Sequence, residues 1–529
     1  MNCYSKQICH KTSTKYCQLL GAKRPVNGTY VSMQTEVLFI NPGNHHKTYQ
    51  NLSKEFSAID TPVWTSLLAH FIRNKGHTTS IYDVNVDGWN ESTAKRVLND
   101  YNPDLIVMMV YGHQPSASTQ TMPAASKIAK YIKSYNKDVP IAMGGTHPSS
   151  LPERTLREDA IDFVIQGEGA YTLEGLIKYI KGKTDIKAIK GLWYKDEEVI
   201  AFTAPSSAIR NLEEELEGYA WDLLPDINNY RSHNWHCFQD FEKSAHADFS
   251  DIRTPYASLY TSLGCPYSCH FCCINTIFGK PGIKYWSLEK VVSWIDSLVN
   301  KYKVRNIRFA DELFVLSPTR VEMLCDLLIE REYDLNIWAY GRVETIGESL
   351  LKKLKKAGVN WLCLGIESAN EKVRGSVNKK IKSDVKNVIK SIQANGINVM
   401  GNYMFGLPED NLTTMEETLR LAMDLNCEFI NFYTVMAYPG SQLHEWASAK
   451  EDYLPKSWEG FSQHSYETLP LPTNYVSARE VLRFRDEAFV RYFTNQGYLK
   501  YVRNKFGNKV ENHIEKMLEI KLRRKLLEN

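Results

Sequence analysis

The chain has 529 residues, enough for two to four domains with a large buried core. Its 64 Lys and Arg residues exceed its 61 Asp and Glu residues by only three, so the charge gives no reason to expect a nucleic-acid or anionic-membrane partner. There is no secretory apolar segment and no apolar run of membrane-spanning length, and 11 cysteines in so long a chain are not a disulfide framework, so we expect a protein of the reducing cytoplasm.

The first stretch, residues 1–34, is polar and aperiodic, which predicts a disordered leader. Its cysteines, Cys3, Cys9 and Cys17, stand at spacings that match no metal motif. Met33 is a second candidate start, because ordered pattern begins directly after it.

Residues 35–205 alternate short apolar runs with amphipathic segments, which predicts an α/β domain with a doubly wound parallel sheet. Thr61 and Pro62 are expected to start its first long helix. A hairpin over 191–202 is expected to close the domain. The predicted strands are Val37–Ile40, Thr79–Val84, Asp104–Val110, Pro140–Met143 and Ile161–Ile165.

Ligands of such a sheet bind beyond the carboxyl ends of its strands. The loops at those ends combine glycines, which allow a bulky ligand to approach the backbone, with polar side chains. His113 and His147 lie in these loops, and each by itself is read as a polar loop residue rather than a ligand. The loops are Asn41-Pro-Gly43, Tyr111-Gly112-His-Gln114, Gly144-Gly145-Thr-His147 and Gln166-Gly167-Glu168-Gly169.

Residues 206–254 are less periodic and are predicted to be a linker. Within it, the stretch 229–250 is rich in His, aromatic and charged residues and is long enough to line a substrate cavity. His233, His236, Cys237 and His246 lie there, but their spacing does not single out a metal site.

Three cysteines, Cys265, Cys269 and Cys272, then follow an apolar strand at the spacing C-x3-C-x2-C. Thiolates are soft ligands suited to iron–sulfur clusters, and three of them leave one iron of a four-iron cubane open to a small molecule. The alternative is a structural zinc site or a group of core cysteines, but zinc usually takes two separated ligand pairs and no second pair follows. Cys273 is read as a packing residue.

Residues 255–445 contain about six strand–helix repeats, which predicts a partial (β/α)6 barrel. Thr413 and Glu416 are expected to form a capping box on its last helix. Residues 446–529 are predicted to form a helical cap, with a capping box of Ser477 and Glu480 and an amphipathic segment over 510–527. Polar or glycine-containing motifs end the barrel strands, where barrels carry their chemistry: Asp311-Glu312, Arg342, Gly365-Ile-Glu367-Ser368 and Gly406-Leu-Pro408.

In order and spacing, the cysteine motif and these strand-end motifs resemble those of the radical S-adenosylmethionine (SAM) enzymes. The resemblance implies a [4Fe-4S] cluster on the three cysteines, with the methionine end of SAM on the open iron. It also implies a set of SAM contacts: Asp311 and Glu312 at the amino group, Gly365, Glu367 and Ser368, Arg342, and Gly406 and Pro408 beside the adenine.

The N-terminal loops resemble those of the cobalamin-binding domain that precedes the barrel in one branch of these enzymes. Cobalamin domains of the methionine synthase type carry D-x-H-x-x-G, whose His binds cobalt, and this motif is absent here, since Asp83-Val-Asn85 lacks the His. No lower axial ligand is therefore assigned, and a domain that has lost the cofactor is the alternative. The residues that the resemblance implies for cobalamin are Asn41, Gly43, Gly112, Gly144, Gly145, Gly167 and Glu168.

The double resemblance implies a cobalamin-dependent methyltransferase acting on a small-molecule, lipid or sugar intermediate, with electrons from an external flavodoxin- or ferredoxin-type donor. SAM cleavage would give a 5′-deoxyadenosyl radical, and methylcobalamin would supply the methyl group. Two alternatives stay open: a cyclase, oxidoreductase or rearrangement enzyme with the same cofactors, and a non-catalytic cluster or corrinoid carrier. A methylthiotransferase is disfavoured, because no second cluster motif stands in the first domain.

Overall fold

The structure is a computed structural model that describes residues 35–43, 48–112, 114, 116–197, 199–243, 252–450 and 452–528. The predicted leader with its three cysteines, and the loop residues His113 and His246, lie outside the described residues. None of the described helices is long and apolar enough to cross a membrane.

The N-terminal half is built on one sheet. Its strands are β1 (Thr35–Asn41), β2 (Thr79–Asp83), β3 (Pro103–Met109), β4 (Ile141–Gly144), β5 (Phe163–Ile165), β6 (Leu192–Asp196) and β7 (Val199–Phe202). They lie in the order β2-β1-β3-β4-β5-β6-β7. The first five are parallel, and β6 and β7 extend the sheet as the expected antiparallel hairpin. Separate hydrophobic cores cover the two faces, so the predicted doubly wound sheet is confirmed.

The helices of this half are α1 (Leu52–Glu55), α2 (Val63–Asn74), α3 (Val84–Asp87), α4 (Glu91–Tyr101), α5 (Ala117–Tyr135), α6 (Thr146–Ser150), α7 (Pro152–Glu158) and α8 (Ala170–Ile180). α2 buries one apolar face that includes Trp64 and Leu68, as its spacing predicts. The prediction that Thr61 caps this helix is wrong, since the N-cap residue is Pro62. Thr61 Oγ1 instead accepts a hydrogen bond from Ser258 N at 2.9 Å, a contact with the following domain.

The linker carries α9 (Leu212–Glu215) and short 3-10 helices at Trp221–Leu223, Ile227–Asn229 and Trp235–Cys237. The second sheet then contains β8 (Tyr256–Leu259), β11 (Asn306–Phe309), β12 (Asn336–Gly341), β13 (Val359–Glu367), β14 (Asn398–Phe405) and β15 (Phe429–Thr434). All pair in parallel, in the order β15-β14-β13-β12-β11-β8. This is the expected six-stranded partial barrel. Between β8 and β11, β9 (Ser262–Leu263) and β10 (Lys284–Tyr285) pair antiparallel on either side of the cysteine loop.

The helices of the barrel are α10 (Asn275–Phe278), α11 (Leu288–Asn300), α12 (Pro318–Glu330), α13 (Glu348–Lys356), α14 (Glu371–Ser376), α15 (Val385–Ala394), α16 (Leu412–Leu425) and α17 (Gln442–Ser448). The capping box predicted from Thr413 and Glu416 is wrong. Asn411 caps α16 by accepting from Thr414 N, and the Thr414 side chain accepts from Asn411 N. The helix thus starts one residue before Thr413.

The C-terminal helices are α18 (Ala478–Phe493), α19 (Gln496–Phe506), α20 (Asn508–Glu519) and α21 (Lys525–Glu528). The Ser477–Glu480 capping box on α18 is confirmed. The predicted continuous segment over 510–527 is interrupted, because Arg524 is buried and donates to Asp486 and to the carbonyl of Gln463. These bonds fix Arg524 at the end of a non-helical stretch, 520–524, that separates α20 from α21.

Buried ionic contacts hold the first domain against the barrel. Arg308 Nη1 of β11 lies 2.6 Å from Asp60 Oδ2, and both side chains are largely buried. Lys284 of β10 pairs with Glu168, which follows β5. The carboxyl ends of the two sheets are therefore brought to the same region of the molecule.

Candidate functional site

The cysteine loop lies beyond the carboxyl end of β8 and is closed at its base by the β9–β10 pair. Gly282 N donates to Cys265 O at 3.0 Å. Gly264 has a φ of +93°, and a Cβ there would lie 2.6 Å from Gly282 O, so the turn into the loop requires glycine. Cys265 and Cys269 are partly exposed, Cys272 is exposed, and Cys273 is buried. The burial of Cys273 agrees with its predicted packing role.

Asp311, two residues after the end of β11, holds the segment that leads into this loop. One carboxylate oxygen accepts from Thr261 N at 2.7 Å, and the other accepts from Thr261 Oγ1 at 2.7 Å and Ser262 Oγ at 2.5 Å. The side chain is completely buried. Both oxygens of Asp311 are therefore used within the protein, although the sequence predicts a contact with SAM.

Glu312 differs from its neighbour in this respect. Its Oε2 accepts from Gly264 N at 3.2 Å, whereas Oε1 is buried without a hydrogen-bond partner among the described residues. Burial raises the pKa of Glu312 to about 8. A buried carboxyl oxygen without a donor is costly, and an ammonium group at this position would both satisfy it and restore its charge.

Arg342, at the end of β12, touches the cysteine loop. Its Nη1 lies 3.8 Å from Cys269 Sγ, and the guanidinium stacks on the Tyr267 ring at 3.9 Å. Nε donates to Glu344 at 2.6 Å, and Nη2 donates to Lys380 O at 3.2 Å. The guanidinium thus places positive charge beside one thiol and ties a neighbouring loop to it.

The Gly-Ile-Glu-Ser motif ends β13 at a register shift between Gly365 and Glu367. Glu367 forms a buried ion pair with Lys379 at 3.2 Å, a partner that the sequence did not indicate. A Cβ on Gly365 would lie 2.4 Å from Glu367 Oε1, so the glycine makes room for this carboxylate. Ser368 Oγ lies 3.2 Å from Thr418 Oγ1 and accepts from Asn370 N at 3.2 Å, so it fixes the turn.

The Gly-Leu-Pro motif follows β14, and Asp410 holds its shape. The Asp410 carboxylate accepts from Gly406 N and Leu407 N at 3.1 Å each and is buried. Pro408 O accepts from Asn474 N at 3.0 Å, which ties the loop to the segment before α18. Asp410 was missed in the sequence, although an Asp four residues after Gly406 is well placed to accept from the turn backbone.

A cavity opens where the carboxyl ends of the two sheets face each other. Tyr260 and Ala310 line it, and these residues directly precede Thr261 and Asp311, which hold the cysteine loop. Three of the residues predicted to bind cobalamin also line it, namely Asn41, Gly43 and Gly112. The other lining groups are mostly aromatic or uncharged and polar, apart from the Asp60–Arg308 ion pair: Thr48, Tyr49, Trp64, Asn85, Tyr111, Gln120 and Thr121.

The remaining predicted cobalamin residues lie away from the lining of this cavity. Glu168 accepts from Ile209 N at 2.6 Å and pairs with Lys284, so it links the first domain to β10. The loop of Gly144 and Gly145 is joined to Gly167 through Ser149, whose Oγ accepts from Gly167 N at 3.0 Å. These contacts join the strand-end loops of the first domain to one another and to β10.

Two of the predicted loop histidines are buried in packing. His147 Nδ1 lies 3.2 Å from Thr119 Oγ1, and the His147 ring stands edge-on to Trp458 with ring centres 4.4 Å apart. His236 is also buried. Burial lowers the pKa of each histidine to about 3, so both are neutral at physiological pH.

The residues present fit the groups that such a site would hold. The cysteine loop offers three thiols, soft donors that suit an iron–sulfur cluster. Within the described ranges, no three His, Cys, Asp or Glu side chains are grouped closely enough to hold a single metal ion. The unpartnered oxygen of Glu312 fits an ammonium group, and the amide, hydroxyl and aromatic lining of the cavity fits a large ligand bearing amide groups.

The fold and this site define a two-domain α/β protein. One cavity is lined by the strand ends of both the doubly wound sheet and the partial barrel, and it lies next to the segment that leads into the cysteine loop. Two family models match the chain: the B12 binding domain model over residues 55–177 and the Radical SAM superfamily model over residues 259–422. The chain is thus a radical SAM enzyme that carries a B12-binding domain.

Two related proteins are similar to this chain over most of its length and agree with this assignment. An uncharacterised methyltransferase of Pyrococcus horikoshii is 26% identical over 82% of this chain and 87% of its own length. The anaerobic magnesium-protoporphyrin IX monomethyl ester cyclase of Rubrivivax gelatinosus is 24% identical over 88% of this chain and 78% of its own length. The predicted class of enzyme is therefore confirmed.

Among solved structures, the chain is similar in fold to the cobalamin-dependent S-adenosylmethionine radical enzyme OxsB with aqua-cobalamin and S-adenosylmethionine bound. The TM-score is 0.66 over 91% of this chain and 71% of that chain, with 17% sequence identity. The predicted order of an N-terminal B12-binding domain, a radical SAM domain and C-terminal helices is confirmed.

Proposed function

We propose that this enzyme uses a [4Fe-4S] cluster, SAM and cobalamin to methylate a carbon atom of a small organic molecule. One observation carries the proposal: a loop with three cysteines is held at the strand ends of the barrel, beside a cavity that the strand ends of the B12-binding domain also line. When bound, the cluster and SAM supply a 5′-deoxyadenosyl radical, and methylcobalamin supplies a methyl group.

The protein's own residues bind and orient these groups. Cys265, Cys269 and Cys272 are the proposed cluster ligands, and Asp311 positions their loop through Thr261 and Ser262. Glu312 Oε1 is the proposed acceptor for the SAM ammonium group, because it is the oxygen of this acidic pair that lacks a protein donor among the described residues.

We assign the other predicted SAM residues to the surroundings of the same site. Arg342 would place its charge beside Cys269, and Glu367 would be held over Gly365 by Lys379. Gly406, Ser368 and Pro408 would shape the turns that enclose the ligand. Asn41, Gly43 and Gly112 are the proposed contacts of the corrinoid, with Gly144, Gly145, Gly167 and Glu168 supporting their loops.

The first experiment is anaerobic reconstitution with iron, sulfide and cobalamin, followed by SAM and dithionite. We expect about four irons per chain, bound corrinoid and formation of 5′-deoxyadenosine. Cys265→Ala is the negative control and should form none. Glu312→Gln should weaken SAM binding while iron content is retained, whereas loss of iron in that variant would contradict its assignment to SAM.

A cyclase with the same cofactors is a second candidate, because the Rubrivivax gelatinosus relative named as a cyclase matches 88% of this chain. The mass of the product separates the two reactions. A methyltransferase replaces one hydrogen of the substrate by a methyl group, whereas ring closure adds no carbon. A product without an added methyl group would decide against methylation.

A further inference from the structure

Two stretches of the chain that meet at the cysteine loop contain no acidic residue. The first runs from Cys265 to Leu288, and the second runs from Lys372 to Ser383. In the whole chain, acidic and basic residues are almost equal in number, at 61 and 64. The local excess of positive charge therefore belongs to this region and not to the composition of the protein.

Hydrogen bonds hold the two stretches together. Asn378 Nδ2 donates to Ser268 O at 3.1 Å and to Ser268 Oγ at 3.0 Å. His270 N donates to Val377 O at 3.0 Å. The Arg342 guanidinium contacts Cys269 Sγ and donates to Lys380 O, so the second stretch is fixed against the first.

The cations of this region divide into paired and outward-facing groups. Lys379 is buried and pairs with Glu367 at 3.2 Å, and Lys372 pairs with Glu409 at 3.2 Å. Lys280, Lys380 and Lys382 are exposed and form no ion pair with any residue that the structure describes. We call these three residues the lysine collar. They flank the loop on which Cys272 is exposed.

We propose that the lysine collar is the docking surface for a small acidic one-electron carrier of the flavodoxin type. The inference rests on the proposed function, which requires one electron for each SAM that is cleaved. In the docked complex, one electron leaves the carrier's flavin and enters the cluster, and no bond forms or breaks in that step. Cations around an exposed metal site attract an acidic partner and orient its redox centre toward that site.

The collar is small, which favours a protein carrier over a nucleic acid. Nucleic-acid sites follow the phosphate backbone with an extended stripe of basic residues, whereas this collar has three exposed cations in a chain with a net charge of +3. Cys272 is exposed on the loop that the collar flanks, so the collar adjoins a proposed ligand of the cluster. An electron carrier must approach the cluster, whereas a partner that only binds need not.

Charge reversal tests the surface. The triple variant Lys280→Glu, Lys380→Glu, Lys382→Glu removes the collar. The matched control reverses three exposed lysines of the first domain, namely Lys183, Lys187 and Lys190, which also lack ion pairs among the described residues. Binding of purified oxidised flavodoxin is measured by biolayer interferometry at low and at high salt, for each protein in its reconstituted form. Formation of 5′-deoxyadenosine is then measured with reduced flavodoxin and, separately, with dithionite.

We expect the collar variant to bind flavodoxin about tenfold or more weakly at low salt, and to lose the salt dependence that the wild type shows. Turnover with flavodoxin should fall in parallel, while turnover with dithionite should match the wild type. The control variant should bind within about twofold of the wild type.

Equal binding by the collar variant and the wild type, or equal losses in the two triple variants, would overturn the proposal. So would equally tight binding of a single-stranded RNA oligonucleotide to the collar, which would show a general polyanion site. Absence of 5′-deoxyadenosine from the wild type even with dithionite would refute the proposed function instead, and flavodoxin binding would still decide the docking surface.

Discussion

Replacing Arg308 by Met should destabilise the protein through the charge that it leaves behind. Arg308 Nη1 lies 2.6 Å from Asp60 Oδ2, and the two side chains are only 5% and 13% exposed. Removing one partner of such a pair costs about 3–5 kcal/mol, because the remaining carboxylate loses its counter-ion in a place largely shielded from water. Arg305 and Asp334 provide a matched control, since this pair lies 2.8 Å apart but is 40% and 83% exposed, and an exposed pair contributes about 0–1 kcal/mol.

The measurement is urea unfolding of Arg308→Met, Arg305→Met and the double variant Arg308→Met, Asp60→Asn, followed by tryptophan fluorescence. The double variant buries no unpaired charge, so it should recover more than half of the stability lost by the single variant. The reasoning is refuted if Arg308→Met costs no more than Arg305→Met, or if the double variant is no more stable than the single one. Because Asp60 belongs to the first domain and Arg308 to β11, the loss should also appear as earlier separation of the two domains.

Three further outcomes are expected. Burial raises the pKa of Asp410 to about 6, so the stability that its carboxyl contributes is fully present below about pH 4 and is lost as the pH rises through 6; relative to Asp410→Asn, the urea unfolding free energy should fall by about 2 kcal/mol between pH 4 and pH 7. Gly365→Ala places a Cβ 2.4 Å from a buried carboxylate oxygen and should cost about 1–3 kcal/mol in thermal unfolding, whereas Gly347→Ala, with its nearest atom at 4.0 Å, should cost under about 1 kcal/mol. Cys273→Ala should retain the iron content of the reconstituted wild type, whereas Cys269→Ala should lose most of it; equal iron in both would contradict the ligand assignment.

Strand positions could be predicted closely from the sequence, because a buried strand needs a short apolar run whatever surrounds it. Helix starts were less predictable where a polar side chain could either cap a helix or bond to a distant part of the chain. Thr61 is of a residue type that often caps helices. Its hydroxyl oxygen instead accepts a hydrogen bond from the backbone N–H of Ser258, which lies far along the chain. Asn411 forms the cap expected at Thr413, which agrees with the stronger N-cap preference of Asn than of Thr.

The site shows the same division between local and long-range information. The cysteine spacing and the strand-end motifs are local patterns, and they indicated which loops follow the carboxyl ends of the barrel strands. The contacts of Glu168 with Lys284 and of Asp60 with Arg308 join residues more than a hundred positions apart, and nothing in either local sequence indicates the partner. Tyr49 was missed for the same reason, since it lines the cavity from the segment that follows β1.

The acidic residues at the strand ends explain why a motif alone does not assign a ligand contact. Asp311, Glu367 and Asp410 each belong to a motif or its turn, and each is already bound by protein donors: hydroxyl and amide groups, a lysine, and two backbone amides respectively. Their role is to fix the loops that surround the site. Glu312 directly follows Asp311 in the same strand-end motif, yet one of its buried oxygens has no donor among the described residues. Since a buried polar atom is normally satisfied, we propose that a ligand donates a hydrogen bond to this oxygen, whereas the oxygens of Asp311, Glu367 and Asp410 already have protein donors.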